Sequence, residues 1–175
     1  HHFNQSVMLN FPLGITKEKV EKIFTKIQEH HDALRMVFSI DGDGIIQKTQ
    51  GKDHPLYIDE RTIGERAEEE LQLHCNNLQS SIDLENGPLM KLGLYHTLTG
   101  SRLLIVVHHL VIDGVSWRIL FEDIEMLYQQ QKVGETLSLP EKTTSYKGWV
   151  GKLDKYKEST SYSDAADYWS DFSQN

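Results

Sequence analysis

The segment best suited to chemistry runs Leu103-Leu104-Ile105-Val106-Val107-His108-His109-Leu110-Val111-Ile112-Asp113-Gly114-Val115-Ser116-Trp117. Its first part is an apolar, β-branched run, which predicts a strand. On a strand, successive side chains leave on opposite faces. His108 and His109 therefore cannot share an environment: one turns into the core or a supporting network, and the other faces a cleft at the strand's end. Asp113-Gly114 then makes the turn into a helix, whose free N–H groups favour a developing negative charge. A strand-end imidazole beside such an N-terminus can serve as a general base next to an anion hole. The plainer readings of the same residues are a satisfied polar histidine and, for Asp113, a helix N-cap. A zinc site built from His108, His109 and Asp113 is disfavoured, because adjacent strand residues diverge, and no metal is expected.

The remaining candidates are weaker. His30-His31 closes a helix, where a cation suits the dipole. His54, His74 and His96 have no partner in the sequence. Cys75 lies on an apolar helical stripe and reads as a small buried hydrophobe. No glycine-rich phosphate loop, nucleophile elbow, HExxH or CxxC is present.

The elements that must position the histidines follow from periodicity. Ser6 to Phe11 reads as a short strand closed by Pro12-Leu13-Gly14. Thr16 caps a helix in which Val20, Ile23, Phe24 and Ile27 share a face. Leu34 to Ile40 and Ile45 to Thr49 flank Asp41-Gly42-Asp43-Gly44, a hairpin signal. Thr62-Ile63-Gly64-Glu65 has capping-box spacing ahead of a helical face of Ala67, Leu71, Cys75 and Leu78, with Glu68, Glu69 and Glu70 on the solvated side. Leu89 to Thr97 and Leu103 to His109 are strands joined at Thr99-Gly100. Leu120, Ile124 and Leu127, widened by Phe121 and Tyr128, mark the helix after Asp113-Gly114, which ends near Gly134 and Pro140. Two further helices are expected over roughly 143–158 and 163–172, with Tyr146, Trp149, Tyr156, Tyr168 and Trp169 anchoring core packing. Strands and helices alternate, so the fold class is α/β or α+β.

Composition narrows the function classes. The 175 residues carry 18 basic and 26 acidic side chains, a net charge of −8, and 38% hydrophobic content. That is enough chain for one core without staples. With no basic block, nucleic acid and anionic lipid are not expected partners. The longest apolar run falls far short of the roughly 18 residues a membrane helix needs. No signal peptide is recognised, and a lone Cys75 fits a reducing, cytoplasmic location.

The motifs carry a resemblance. His108-His109-Leu110-Val111-Ile112-Asp113-Gly114 matches the HHxxxDG motif of the condensation-domain superfamily of nonribosomal peptide synthetases. Its continuation, Val115-Ser116-Trp117-Arg118-Ile119-Leu120, resembles the epimerization-domain version. His30-His31-Asp32-Ala33-Leu34-Arg35-Met36-Val37-Phe38 resembles the RHxxLRxxF element, with His30 in place of arginine. His2-Phe3-Asn4-Gln5-Ser6, the Gly87-Pro88-Leu89 element and Thr144-Ser145-Tyr146-Lys147-Gly148-Trp149 agree in order and spacing. Such domains have two lobes resembling chloramphenicol acetyltransferase, so residues 1–175 are expected to be an N-terminal lobe, a mixed sheet flanked by helices. The family's opening segment and C-terminal lobe, with its paired glutamate, are expected to lie outside the chain, which alone is expected to be inactive.

The resemblance implies the roles. His109 is the acid/base catalyst for epimerizing an aminoacyl or peptidyl thioester. The substrate rides on the 4'-phosphopantetheine of a peptidyl carrier protein, with no cofactor bound directly. Gly114 N–H helps stabilise the enolate; His108 and Asp113 are architectural, with Asp113 paired to Arg35. Ser116 and Trp117 shape the cleft. Expected partners are the carrier protein, the C-terminal lobe and neighbouring synthetase domains. Alternatives are a condensation domain, a non-catalytic carrier-docking lobe, and an acyltransferase using coenzyme A.

Overall fold

The computed structural model describes residues 3–42, 44–64 and 67–174. In chain order these form β1 (Asn4–Phe11), α1 (Lys17–His30), a single-turn 3-10 helix (Asp32–Arg35), β2 (Met36–Asp41), β3 (Gly44–Thr49), β4 (Tyr57–Thr62), α2 (Ala67–Ser80), β5 (Met90–Thr97), β6 (Gly100–His108), α3 (Gly114–Val133), α4 (Tyr146–Lys157) and α5 (Thr160–Gln174). His1–His2, Asp43 of the expected turn and Glu65 of the expected capping box lie outside the described residues. The chain divides into two compact units, His1–Pro140 and Glu141–Asn175.

In the first unit a sheet of order β1-β6-β5-β4 carries the core, and β2 and β3 form a separate hairpin. β1 and β5 run antiparallel to β6, whereas β4 runs parallel to β5, so the sheet is mixed. β6 reads as a nearly continuous apolar run because both of its faces are covered. Leu103, Ile105 and Val107 pack with Val20, Phe24 and Ile27 of α1 and with Leu120, Ile124 and Leu127 of α3. Leu104 and Val106 point the other way and pack with Leu71, Cys75 and Leu78 of α2. The expected α/β class, a mixed sheet flanked by helices, is what the chain adopts.

The caps behave as their residue types dictate. Thr16 caps α1 through Lys19 N, Asp113 caps α3 through Ser116 N, and Gly134 ends α3 in the left-handed conformation. The sequence reading did not anticipate β4, an edge strand with the polar run Asp59-Glu60-Arg61-Thr62, which reaches β5 through the α2 crossover. Thr62 accordingly ends a strand instead of capping a helix. Ile63 N donates to His96 O, and Gly64 N finds a carboxylate further on, donating to Glu70 Oε2 at 3.1 Å.

In the second unit Ser145 caps α4 through Gly148 N, and the rings of Tyr156 and Tyr162 meet edge to face at 5.8 Å. The expected core role of its aromatics is corrected here. Trp149 is 53% exposed and Tyr168 and Trp169 are each 63% exposed. Two short helices by themselves enclose no interior in which large rings could be buried.

Gly100 opens β6 at φ +129°, and a Cβ on it would collide with Phe11 O. Gly100→Ala is expected to cost on the order of 1–3 kcal/mol through strained backbone and loss of this close approach. Urea unfolding of the variant against the parent chain measures it.

Candidate active site

β6 delivers the two histidines to different surroundings, as the alternation requires. His108 ends the strand on the α2 side and is 5% exposed. His109 is exposed just beyond the strand, on the side of α3. Its backbone N–H donates to Phe3 O at 2.8 Å, so the chain ahead of β1 holds the end of β6 in place.

The two rings use Nδ1 with opposite polarity. His108 Nδ1 accepts from Leu110 N–H at 3.2 Å, so its proton sits on Nε2. His109 Nδ1 lies 2.7 Å from Ile112 O, a pure acceptor, so Nδ1 carries a proton. Burial pushes His108 below its ordinary value of 6.5, and the neighbouring His109 adds to this.

Gln5, half-buried on β1, completes the site, and sequence reasoning did not identify it as a site residue. Its Nε2 lies 3.1 Å from His109 Nε2, and its Oε1 accepts from Trp117 Nε1 at 2.7 Å. The register pairs Gln5 with Val107, which puts it on the same sheet face as α3. Phe3 stacks on the His109 ring at 5.3 Å and 14°. Trp117 stacks on Phe121 at 5.4 Å and 26°, so α3 packing fixes the indole.

Asp113 is spent on the start of α3. Its Oδ1 accepts from Ser116 Oγ at 2.6 Å and from Ser116 N at 2.8 Å. The Ser116 hydroxyl, then its N–H, hold the carboxyl below the ordinary carboxylate value. The expected pair between Asp113 and Arg35 does not form. Arg35, 6% exposed, donates through Nη1 to Gln28 O and to Glu29 O at 3.0 Å, and through Nε to Gln50 O at 3.2 Å. Its nearest carboxylate is Asp32, at 3.9 Å. Each charge has gone to the helix end its sign suits, the guanidinium to the last carbonyls of α1 and the carboxylate to the first N–H groups of α3.

Gly114 is the first residue of α3. A Cβ there would meet nothing within 4 Å, so the approach to the helix start is open. Ser116 is tied to Asp113, so its role is in the cap more than on a cleft wall. His108, His109 and Asp113 do not converge as metal ligands. Among the described residues the group able to do so is His30, His31 and Asp123, with ligand atoms all within 4.8 Å. There His31 Nε2 already donates to Asp123 Oδ2 at 2.6 Å, tying α1 to α3. No helix among the described residues is long and apolar enough to cross a membrane.

Comparison with known proteins gives the chain's family and fold. The family model of the condensation domain matches residues 1–175. The chain is 44% identical over 172 residues to gramicidin S synthase 1 of Brevibacillus brevis, covering 97% of this chain and 16% of that protein. It is 45% identical over 175 residues to surfactin synthase subunit 2 of Bacillus subtilis (strain 168), covering 97% of this chain and 5% of that protein. Among solved structures, the epimerization domain from the third module of tyrocidine synthetase B superposes with TM-score 0.92 at 39% identity, over 98% of this chain and 40% of that one. The starter condensation domain of rhizomide synthetase superposes with TM-score 0.78 at 16% identity, over 96% of this chain and 41% of that one, which shows the shared fold.

The lowered His108 value makes stability depend on pH. The unfolded chain takes up a proton as pH falls through 6.5, before the folded ring does. The contribution is therefore full above 6.5 and is lost as pH falls below it, until the folded ring also protonates. His54, likewise lowered by burial, acts in the same direction. Urea midpoints measured from pH 7.5 down to 5 should fall. His108→Asn, which keeps an acceptor for Leu110 N–H but does not titrate, should flatten the fall and leave the share due to His54.

Proposed function

As a member of the condensation-domain family, the chain is, we propose, the N-terminal lobe of an epimerization domain of a nonribosomal peptide synthetase. The observation that carries the reading is His109, exposed just past the end of β6, its Nδ1 bonded to Ile112 O in the turn that leads into α3 at Gly114. The likeness to a solved epimerization domain, at more than twice the identity of the condensation domain compared, and the Val115-Ser116-Trp117 continuation favour epimerization over peptide-bond formation.

In this reading the substrate is an aminoacyl or peptidyl thioester on the 4'-phosphopantetheine of a peptidyl carrier protein. His109 Nε2 takes the α-proton. The Cα–H bond breaks and its electron pair moves into the thioester, leaving an enolate oxygen that the α3 N-terminus, beginning at Gly114 N–H, stabilises. A second acid/base group returns a proton to the opposite face of Cα. By resemblance that group is a glutamate of the C-terminal lobe. His108 and Asp113 hold the turn between them, and neighbouring synthetase domains supply and receive the carrier.

Condensation is the second reading, favoured by the family match itself. There the same imidazole assists attack of an acceptor amine on the thioester. The two readings separate in the two-lobed domain supplied with an L-aminoacyl carrier protein in deuterated water. Epimerization gives α-deuterium uptake and D-isomer, and His109→Ala lowers both by roughly 10²–10⁴-fold. Acyl transfer to an amine without α-exchange moves the assignment to condensation.

A further inference from the structure

We propose that Gln5 and Trp117 are a positioning pair that holds the His109 ring neutral, with Nε2 unprotonated, through a one-way chain of N–H donors. The inference rests on the reading of His109 as a base and adds two residues on which its protonation state depends.

The polarity of the chain is fixed from one end. The indole N–H is a donor only. It lies 2.7 Å from Gln5 Oε1, so the carbonyl end of the amide must face Trp117 and the NH₂ end must face His109. Trp117 is itself immobilised, being 8% exposed within the α1–α3 core and stacked on Phe121. At the other end, Gln5 Nε2 lies 3.1 Å from His109 Nε2, and a donor there demands a lone pair. Ile112 O, 2.7 Å from Nδ1, demands a proton on that side. The neutral ring protonated at Nδ1 meets both demands.

Every other arrangement sets a donor against a donor. An imidazolium would point Nε2–H at the Gln5 NH₂ group. Relieving that contact by turning the amide over would then point NH₂ at the indole N–H. The first loses the exposed hydrogen bond between Gln5 and His109, and the second leaves the partly buried indole N–H unsatisfied. Phe3, stacked on the ring, keeps it in the plane where these bonds are made.

The arrangement has a consequence for the reaction. Nε2 has one lone pair, so a substrate Cα–H presented to it takes the place now held by the Gln5 N–H. Gln5 stays anchored through Oε1 while its amino end gives way. The ring therefore enters the reaction as proton acceptor, and the group on the opposite face of Cα enters as donor.

The test reads the ring nitrogens directly, by long-range proton–nitrogen correlation on the ¹⁵N-histidine-labelled 175-residue chain near neutral pH. The parent should show Nε2 as a pyridine-type nitrogen and Nδ1 as pyrrole-type. Gln5→Glu keeps the shape but offers an acceptor to Nε2, so both nitrogens should become pyrrole-type. Trp117→Phe keeps an aromatic ring but removes the N–H, which frees the amide to turn; the Nε2 signal should move toward the protonated position.

Turnover is then followed in the two-lobed domain. Gln5→Glu should lower kcat by roughly 10²-fold at little change in KM. Gln5→Met fills the same volume without polar atoms and should lose roughly tenfold, the worth of one hydrogen bond. The inference is overturned if the ring signals of Gln5→Glu match those of the parent, or if Gln5→Met turns over as the parent does. A parent chain with the expected nitrogen pattern but no α-proton exchange refutes the epimerase reading and leaves the positioning pair standing. An epimerizing parent whose ring ignores Gln5→Glu refutes the pair alone.

Discussion

The register of β1 on β6 is the constraint from which the geometry of the candidate site follows. Asn4 lies opposite His108 and Gln5 opposite Val107. A slip by one residue would turn Gln5 to the α2 side and break its bonds to His109 and Trp117 together. The register is held from both faces. Toward α3, Val7, Leu9 and Phe11 pack against the larger core; toward α2, Asn4 Nδ2 donates to Gln79 O at 2.8 Å. An edge strand thus does more than complete the sheet, because its first residues place the amide that meets the His109 ring.

Helix ends supply the second level of organisation. Asp113 caps α3 through Ser116, and the same cap fixes the turn in which Ile112 presents its carbonyl to His109 Nδ1. Asp113 therefore acts on the imidazole through the backbone, without touching it. At the far end of α1, Arg35 donates to the last-turn carbonyls of Gln28 and Glu29, and His31 joins that end to Asp123 of α3. The two helices that flank the histidine side of the sheet are in this way tied to each other and to the strand ends.

Much of this was legible in the sequence where the signal is local. The apolar run of β6, the divergence of His108 and His109 and the caps at Thr16, Asp113 and Gly134 all follow from residue types a few positions apart. What was not legible is non-local or borrowed. Gln5 and Trp117 are 112 positions apart, and nothing within either segment announces the other. The polar edge strand β4 has no alternation to betray it, since pairing with β5 decides its conformation. The Arg35–Asp113 pair came from resemblance alone, and the local demands of two helix ends overrode it. The aromatic residues of α4 and α5 look like core by composition, yet composition does not say what layer covers them.

The adjacent histidines make physical sense as a pair with divided labour. Both spend Nδ1 on the turn that follows β6, His108 as acceptor from Leu110 N–H and His109 as donor to Ile112 O. The turn is thereby clamped from its two ends by side chains on opposite faces of the sheet. The difference in polarity decides what is left over. His108 carries its proton on Nε2 inside the protein, where burial disfavours a second one. His109 is left with Nε2 at the surface, facing the Gln5 amide. Imidazole is the side chain whose two nitrogens can donate on one side and accept on the other. One residue type can therefore serve as the internal brace at His108 and as an exposed imidazole at His109, with the role of Nδ1 at each position written by the backbone of the same short turn.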